Sequence, residues 1–228
     1  MALQSKLTNN MKYKILKNHF IDLKSPTTNK PVRLYRIIAL ENFNTQNGTV
    51  RTGDIGGFIQ SEANLSQSDT SWVYHTGKVF DDAILSDSVI LEDGAGYGQS
   101  VIRDSIISGR ARISGTCSVI RDSLISGNAT VEGDCEISNS TMTNATRVFG
   151  KCKVTNTLMS GGSIIRDNST VNNSTLSDIA EINGNSVIDN CQFSGRTVVS
   201  NSRCAGETRS DQIELNIIQQ VLPDSTKF

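Results

Sequence analysis

Apolar residues recur along this chain at a fixed interval. Ser71, Ser88, Ser105, Ser123, Ser140, Thr157, Ser174 and Cys191 are followed two places later by Val73, Ile90, Ile107, Ile125, Met142, Met159, Leu176 and Phe193. The steps are 17 residues, with one of 18. A second column of small residues reads Gly77, Ala95, Ala111, Ala129, Thr146, Ser163, Ala180 and Thr197. It leads to Val79, Tyr97, Ile113, Val131, Val148, Ile165, Ile182 and Val199. A third column, Ala83, Ser100, Cys117, Cys135, Cys152, Ser169 and Ser186, leads to Leu85, Ile102, Val119, Ile137, Val154, Val171 and Ile188. A small-x-apolar triplet puts its outer residues on one side of a short strand. Three triplets per repeat predict a three-sided coil, and stacking in register predicts parallel strands about 4.8 Å apart.

The positions between triplets read as corners. Asp87, Asp104, Asp122, Asn139, Asn156, Asn173 and Asn190 stand just before the first column. Gly109, Gly127, Asn144, Gly161, Asp178 and Gly195 mark a second corner, and Gly115, Gly133, Gly150, Asp167 and Gly184 a third. Gly, Asn and Asp tolerate the left-handed backbone that tight turns use. Asx side chains stacked in register are also expected to form ladders along the axis. The sequence therefore predicts an all-β fold: a single-stranded, three-sided parallel β-helix of 17–18 residues per coil. Parallel crossovers are right-handed in most folds. Steps near six residues per side favour the left-handed three-sided exception.

Three segments follow. Residues 1–55 are a polar leader and a β-hairpin cap, with alternating stretches over 13–23 and 32–39 joined by the turn-rich 24–31. Residues 56–206 hold about eight coils. Residues 207–228 are a C-terminal helix and tail. The helix is expected over 210–222, with Asp211 as N-cap, Glu214 completing a capping box, and Pro223 as the stop. Its stripe of Ile213, Ile217, Val221 and Leu222 is expected either to close the last coil or to dock on another subunit. A solenoid exposes raw core and strand edges at its ends, so caps are a physical requirement.

Composition sharpens the class. Apolar residues make up 36% and aromatics 5%, a level that reads as disorder unless the apolar residues are periodic, as here. Residues 1–40 carry a net +7 and the remaining 188 a net −8. The basic head has no interleaved aromatics of the kind a nucleic-acid stacking platform needs, so nucleic acid is not the expected partner. No run of 18 apolar residues exists, so no membrane span is expected. Residues 1–10 are polar and lack a secretory apolar core. The five cysteines have no CxxC spacing. A cytoplasmic chain with free thiols is the expectation.

Candidate chemistry is sparse. The two histidines are His19, in the cap, and His75, beside a turn of the first coil. His75 is the weak catalytic candidate, and a turn residue on the other reading. Cys117, Cys135 and Cys152 read as small buried side chains in preference to a metal or redox ladder. Asp81, Asp82, Glu92 and Asp93 read as solvated turn acids. Arg103, Arg121 and Arg166 each precede an Asp and form, with Ile213, Ile217 and Val221, the candidate interaction surface. No cofactor and no metal is expected.

Residues 53–74 carry a family resemblance. Gly53, Asp54, Ile55, Gly56 and Gly57 are followed by Asn64, Leu65 and Ser66, then by Trp72, Val73 and Tyr74. Leu34, Tyr35, Arg36, Ile37, Ala39 and Leu40 precede them. Together these resemble the YdcK-type β-solenoid family of bacteria and their phages, over roughly residues 12–205. That family is labelled acyltransferase-like because its coils are similar to hexapeptide-repeat transferases. The resemblance implies the solenoid fold and, on that label, coenzyme A chemistry across a subunit interface. It carries no catalytic residue to this chain, whose coils put Ser, Thr and Cys where the family favours Ala. Fold alone does not give function.

The expected function is a non-enzymatic binding or scaffold protein that engages a protein partner through its even faces or its ends. In a phage-borne chain the partner would belong to a host system. The alternatives are a coenzyme A-dependent acyltransferase and a structural assembly component. A small homo-oligomer is expected.

Overall fold

The computed structural model describes residues 11–115, 119–211 and 215–216. It is a β-solenoid of about nine stacked coils whose strands form three sheets of nine, twelve and eight strands, parallel throughout the coils; the twelve-stranded sheet also takes in two antiparallel strands before the first coil. We call them faces in chain order. Face one runs from Trp72–Val73 to Thr208–Ser210, face two from Lys78–Val79 to Leu215–Asn216, and face three from Ile84–Ser86 to Arg203–Ala205. Register is strict: Ile107 pairs with Ile90 below and Ile125 above. The inward row of face one from Val73 to Phe193 is fully buried, as are the rows of Ile137, Val154 and Val171 and of Val131, Val148 and Ile165. Each such aliphatic side chain contributes about 1.5–3 kcal/mol by leaving water.

All three corners adopt the left-handed backbone. Asp87, Asp104, Asp122, Asn139, Asn156, Asn173 and Asn190 have φ between 44° and 54°. The Gly-rich corners do the same, and crowding adds to the demand: a Cβ on Gly133 would meet the Gly150 carbonyl at 2.5 Å. The expected amide ladder forms where asparagines stack. Asn156 Nδ2 donates to Asn173 Oδ1 at 3.1 Å, and Asn173 Nδ2 to Asp189 Oδ1 at 3.0 Å.

Hydroxyls bridge the coils at the first corner. Ser105, Ser123 and Ser140 each donate from Oγ to the carbonyl two residues back. Each also accepts the backbone N–H of the equivalent residue one coil on, Ser123, Ser140 and Thr157. The column is therefore serine-rich for hydrogen bonding as well as for size.

The N-terminal unit has two parts. β1 (Tyr13–Lys24) and β2 (Pro31–Ala39) form the expected hairpin. β3 (Phe43–Thr45) and β4 (Gly48–Val50) form a smaller one, and β5 (Ile55–Ile59) opens the solenoid. β2 pairs antiparallel with β5, and β5 pairs parallel with Lys78–Val79. The large hairpin thus extends face two edgewise and also covers its outer surface. There Leu34, Phe58 and Phe80 make a second small core, flanked by Ile21, Leu23, Val32 and Tyr97. β1 is the terminal strand of that sheet, and residues 17–19 bulge from it between the Leu16–Arg36 and Phe20–Tyr35 pairs. A bulge and exposed lysines blunt an edge against further pairing.

The end of the core is closed by Tyr13, Phe43 and Trp72, which meet edge to face. Lys12 lies among them, 2% exposed, with Nζ donating to the carbonyls of Asp69 and Ser71 at 2.9 Å and to Asp69 Oδ1 at 3.3 Å. Tyr13 donates its hydroxyl to the Leu65 carbonyl at 2.7 Å.

Three expectations are corrected. The inward residue of the second face-two coil is Gly96, not Tyr97: Gly96 pairs with Val79 and Ile113. The step of 17 from Gly77 leads to Gly94, so Tyr97 turns outward and stacks on Phe80, ring centroids 5.0 Å apart. On face three Ile120, not Val119, pairs with Ile102 and Ile137. The extra residue of that coil therefore precedes Val119, and Ile120 takes the inward place expected of Val119; Cys117, expected in the Cys135–Cys152 column, is outside the described residues. Finally, Ser210 ends a strand and Leu215–Asn216 pairs in parallel with Val199 and Ser200, so coil geometry continues where a helix was expected. Asp211, the expected N-cap, has φ 54° and stacks over Gly195 as a corner residue. The rest of 212–228 is outside the described residues.

Candidate functional site

The expected site residues do not converge. His75 is an exposed corner residue with φ 46°, its ring beside that of Tyr74 and its carbonyl accepting from Arg36 Nη1 at 3.1 Å. His19 sits in the β1 bulge. Arg103 and Arg121 are cross-strand neighbours on face three, both exposed. Arg166 is on face two, where it holds Glu181 Oε1 from Nε at 2.7 Å and contacts Asp167 Oδ2 at 3.6 Å. The three arginines therefore belong to two surfaces, because Arg166 precedes the third corner and the others the first. Ile213, Ile217 and Val221 lie outside the described residues.

Cys135 and Cys152 are buried, and their thiols donate to the carbonyls of Glu132 and Phe149 at 3.3 and 3.4 Å. The neighbouring Cys135 thiol, and then burial, hold the Cys152 thiol above its ordinary pKa. Burial pushes the Cys204 thiol up to about 11. Both are thiols rather than thiolates, which are the reactive species. Among the described residues no three His, Cys, Asp or Glu side chains gather as a metal site, and no helix is long and apolar enough to cross a membrane.

Three cations of the basic head, Lys12, Arg33 and Arg36, are spent on the fold. Arg33 makes a two-pronged pair with Asp22 at 2.7 and 2.8 Å and lies over the Phe20 ring. Arg36 lies over Phe58 and donates to the Gly56 carbonyl. Lys12 is buried in the cap.

The three outer faces differ in charge. Face two projects Lys78, Arg112, Glu132, Arg147, Arg166 and Glu181. Face three projects Arg103, Arg121, Glu136, Lys153 and Asp189. Face one projects no charge from its first coil to its eighth. The four-residue stretches beginning at Ser105, Ser123, Ser140, Thr157, Ser174 and Cys191 are all uncharged. Its outward row is Ile106, Leu124, Thr141, Leu158 and Thr175, in register along the axis. Leu124 is 39% exposed and Leu158 46%. Beside that row run the hydroxyls of Ser108, Ser126, Thr143, Ser160 and Ser177. The small hairpin bounds the strip at its start, with Thr45 Oγ1 against the Tyr74 hydroxyl at 2.8 Å and Gln46 on the Asp87 carbonyl.

This strip was legible as a run of uncharged triplets, but inward columns draw attention away from the residues between them. No protein-family model and no curated protein matches the chain.

Proposed function

We propose that the chain is a non-enzymatic scaffold that binds a protein partner through face one. The observation that carries this reading is the charge-free strip with Leu124 and Leu158 half exposed on it. Depletion of charge, more than bulk hydrophobicity, distinguishes the core of a protein interface from the rest of a surface. The charged corners on either side, with Asp104, Asp122 and Arg110, supply the polar rim such interfaces have. A rigid parallel sheet presents these groups at the strand spacing without reorganisation, which lowers the entropic cost of binding. The YdcK-type resemblance, carried by residues 34–40 and 53–74, is compatible with this role but does not bear on face one.

The test is a tagged capture from cell lysate with the native chain and with Leu124→Asp/Leu158→Asp. Both substitutions are outward, so the core is untouched. One stoichiometric protein retained by the native chain and lost by the variant supports the reading. The same protein retained by both overturns it. Light scattering separates a second copy from a foreign partner: a mass that falls to the monomer in the variant makes the strip a self-association surface. Acetyl-coenzyme A binding that disappears in His75→Ala would move the assignment to the transferase reading.

A further inference from the structure

The large hairpin does more than cap. Its turn, residues 25–30, is a closed structure: Ser25 N–H donates to the Lys30 carbonyl at 2.9 Å, and Asn29 takes φ 61°. Ser25 Oγ donates to Asp81 Oδ2 at 2.7 Å, which fastens the turn to the third corner. Between this roof and the outer surface of face two lies a cavity of about 220 Å³. Its existence follows from one small residue. Along the outward row Lys78, Ala95 and Arg112 succeed one another in register, so Ala95 leaves a notch between two long cations. Lys78 and Arg112 stand two strand spacings apart, about 10 Å between backbones.

The walls are apolar and aromatic. Phe80 and Tyr97 stack at 5.0 Å with their planes 9° apart, and Leu23 and Pro26 close the hairpin side. Lys24, itself exposed, also lines the cavity. Among the described residues no acidic side chain lines the cavity. Asp93, whose charge acts on Lys78, stands at the second corner, with Oδ1 held by the Thr76 hydroxyl at 2.7 Å. Burial first, and then the Arg112 charge, lower the Lys78 pKa while Asp93 opposes them. Lys78 Nζ donates to the Thr76 carbonyl and Arg112 Nη1 to the carbonyls of Asp93, Arg110 and Ala111, which leaves the Nη2 and Nε donors of Arg112 for a ligand. Those bonds orient both cations without neutralising them. A second cleft, which shares Pro26 and Tyr97 with this one, lies over Ser114 and Glu132, where a carboxylate repels anions. The attractive charge is therefore at the Lys78–Arg112 end only.

We propose that this cavity is a binding site for a small aromatic anion: one ring carrying a carboxylate or a phosphate. The ring lies against Phe80 and Tyr97, and the anionic group faces Lys78 and Arg112. The volume is below the roughly 300 Å³ at which drug-sized sites begin, which limits the occupant to about one ring and its charged group. Charge-assisted hydrogen bonds to a desolvated anion supply most of the discrimination.

Saturation-transfer NMR and calorimetry on the full chain test this with benzoate, phenyl phosphate, benzamide and inorganic phosphate as probes. Benzoate or phenyl phosphate is expected to bind, and benzamide and inorganic phosphate to bind at least about tenfold more weakly. Lys78→Met/Arg112→Met is expected to weaken the bound anion about tenfold or more, and Ala95→Leu, which fills the notch, to abolish binding. Both change outward positions, and circular dichroism reports whether the coils remain. Benzamide binding as well as benzoate, or no probe binding at millimolar concentration, overturns the proposal on the native chain alone. An anion affinity unchanged in folded Lys78→Met/Arg112→Met overturns the assignment of the charged end.

Discussion

Ser123 accepts the backbone N–H of Ser140 at 3.2 Å while donating its own hydroxyl to the Arg121 carbonyl at 2.6 Å. The corner residue Asn139 has φ 47°, and its N–H takes the same Arg121 carbonyl at 3.2 Å. The Ser140 N–H is thereby left without a backbone acceptor, and the hydroxyl below supplies one. Ser123→Ala is expected to destabilise the chain by about 1–3 kcal/mol, the penalty for a buried donor left unpaired. Ser123→Thr keeps the oxygen, as Thr157 does natively, and should be milder. Chemical denaturation checks the difference, and hydrogen exchange at the Ser140 amide localises it. Equal losses from Ala and Thr would mean that the hydroxyl is there only for its size.

The coils were legible because a strict period repeats the same physical demand at every rung. The corner residues Asp87 to Asn190 and the inward aliphatics could be read from spacing alone. Two rungs misled for the same reason. At Ala95–Tyr97 the small-x-apolar triplet recurs one residue out of phase, and only strand pairing shows that Gly96 faces in. At Val119 the adjacent Ile120 is equally apolar, so the 18-residue step could not be placed without the register. The aromatic–cationic cavity was invisible because Lys78 and Arg112 meet Leu23 and Pro26 only through a hairpin folding back across more than fifty residues.

Tyr97 therefore belongs to the hairpin's packing rather than to the core. Tyr97→Ala should remove its stacking on Phe80 and loosen the small core around Leu34 and Phe58. A stacked aromatic pair contributes about 0.5–1.5 kcal/mol beyond its burial. The loss should appear as faster hydrogen exchange in β1 and β2, with the coils beyond residue 130 unaffected, since solenoid stability is passed between neighbours. Uniform loss of protection along all coils would return Tyr97 to the core.

The pH dependence of the N-terminal cap rests on Lys12 and Asp69. Burial raises the Asp69 pKa, but the Ser71 hydroxyl and N–H and the Lys12 charge pull it below the ordinary value overall. Its stabilisation is complete above the unfolded pKa of about 3.9 and is lost as the pH falls through the lower folded value. Lys12 is also lowered, chiefly by burial, so between its folded value and about 10.4 stability rises with pH. Asp69→Asn leaves the ammonium buried without its counter-charge and should cost about 3 kcal/mol at neutral pH. Trp72, the single tryptophan, is buried beside them and reports the cap by fluorescence. Its melting temperature should fall steeply below pH 4 in the native chain and only weakly there in Asp69→Asn.

Arg103 and Arg121 face each other directly across neighbouring strands, and like charges so placed repel. Arg103→Ser continues the residue type found one rung down at Ser86. It should stabilise the chain by about 0.2–1 kcal/mol at low salt, with the gain shrinking as salt screens the pair. Melting in 20 mM and in 500 mM salt checks this; a loss of stability would mean that the two guanidinium groups stack or share an anion.

Cys135 and Cys152 stack on consecutive coils without forming a bridge. Residues facing each other across parallel strands hold their Cβ atoms near the strand spacing, about 4.8 Å, whereas a disulfide needs about 3.8 Å. Mild oxidants should therefore leave both as thiols. The Cys135 neighbour, and then burial, raise the Cys152 pKa, while the Cys152 neighbour lowers that of Cys135, so burial is what protects both from attack. In native buffer at pH 8 an aromatic disulfide reagent should label Cys135, Cys152, Cys191 and Cys204 only as fast as the coils open, and all four promptly in denaturant. Peptide mapping assigns each label and keeps Cys117 separate. The order of labelling then measures which coils open first, and the end coil bearing Cys204 should precede the central pair, because a terminal coil is held by one neighbour and a central coil by two. Fast labelling of Cys152 in the native state would contradict a continuous core through the middle of the solenoid.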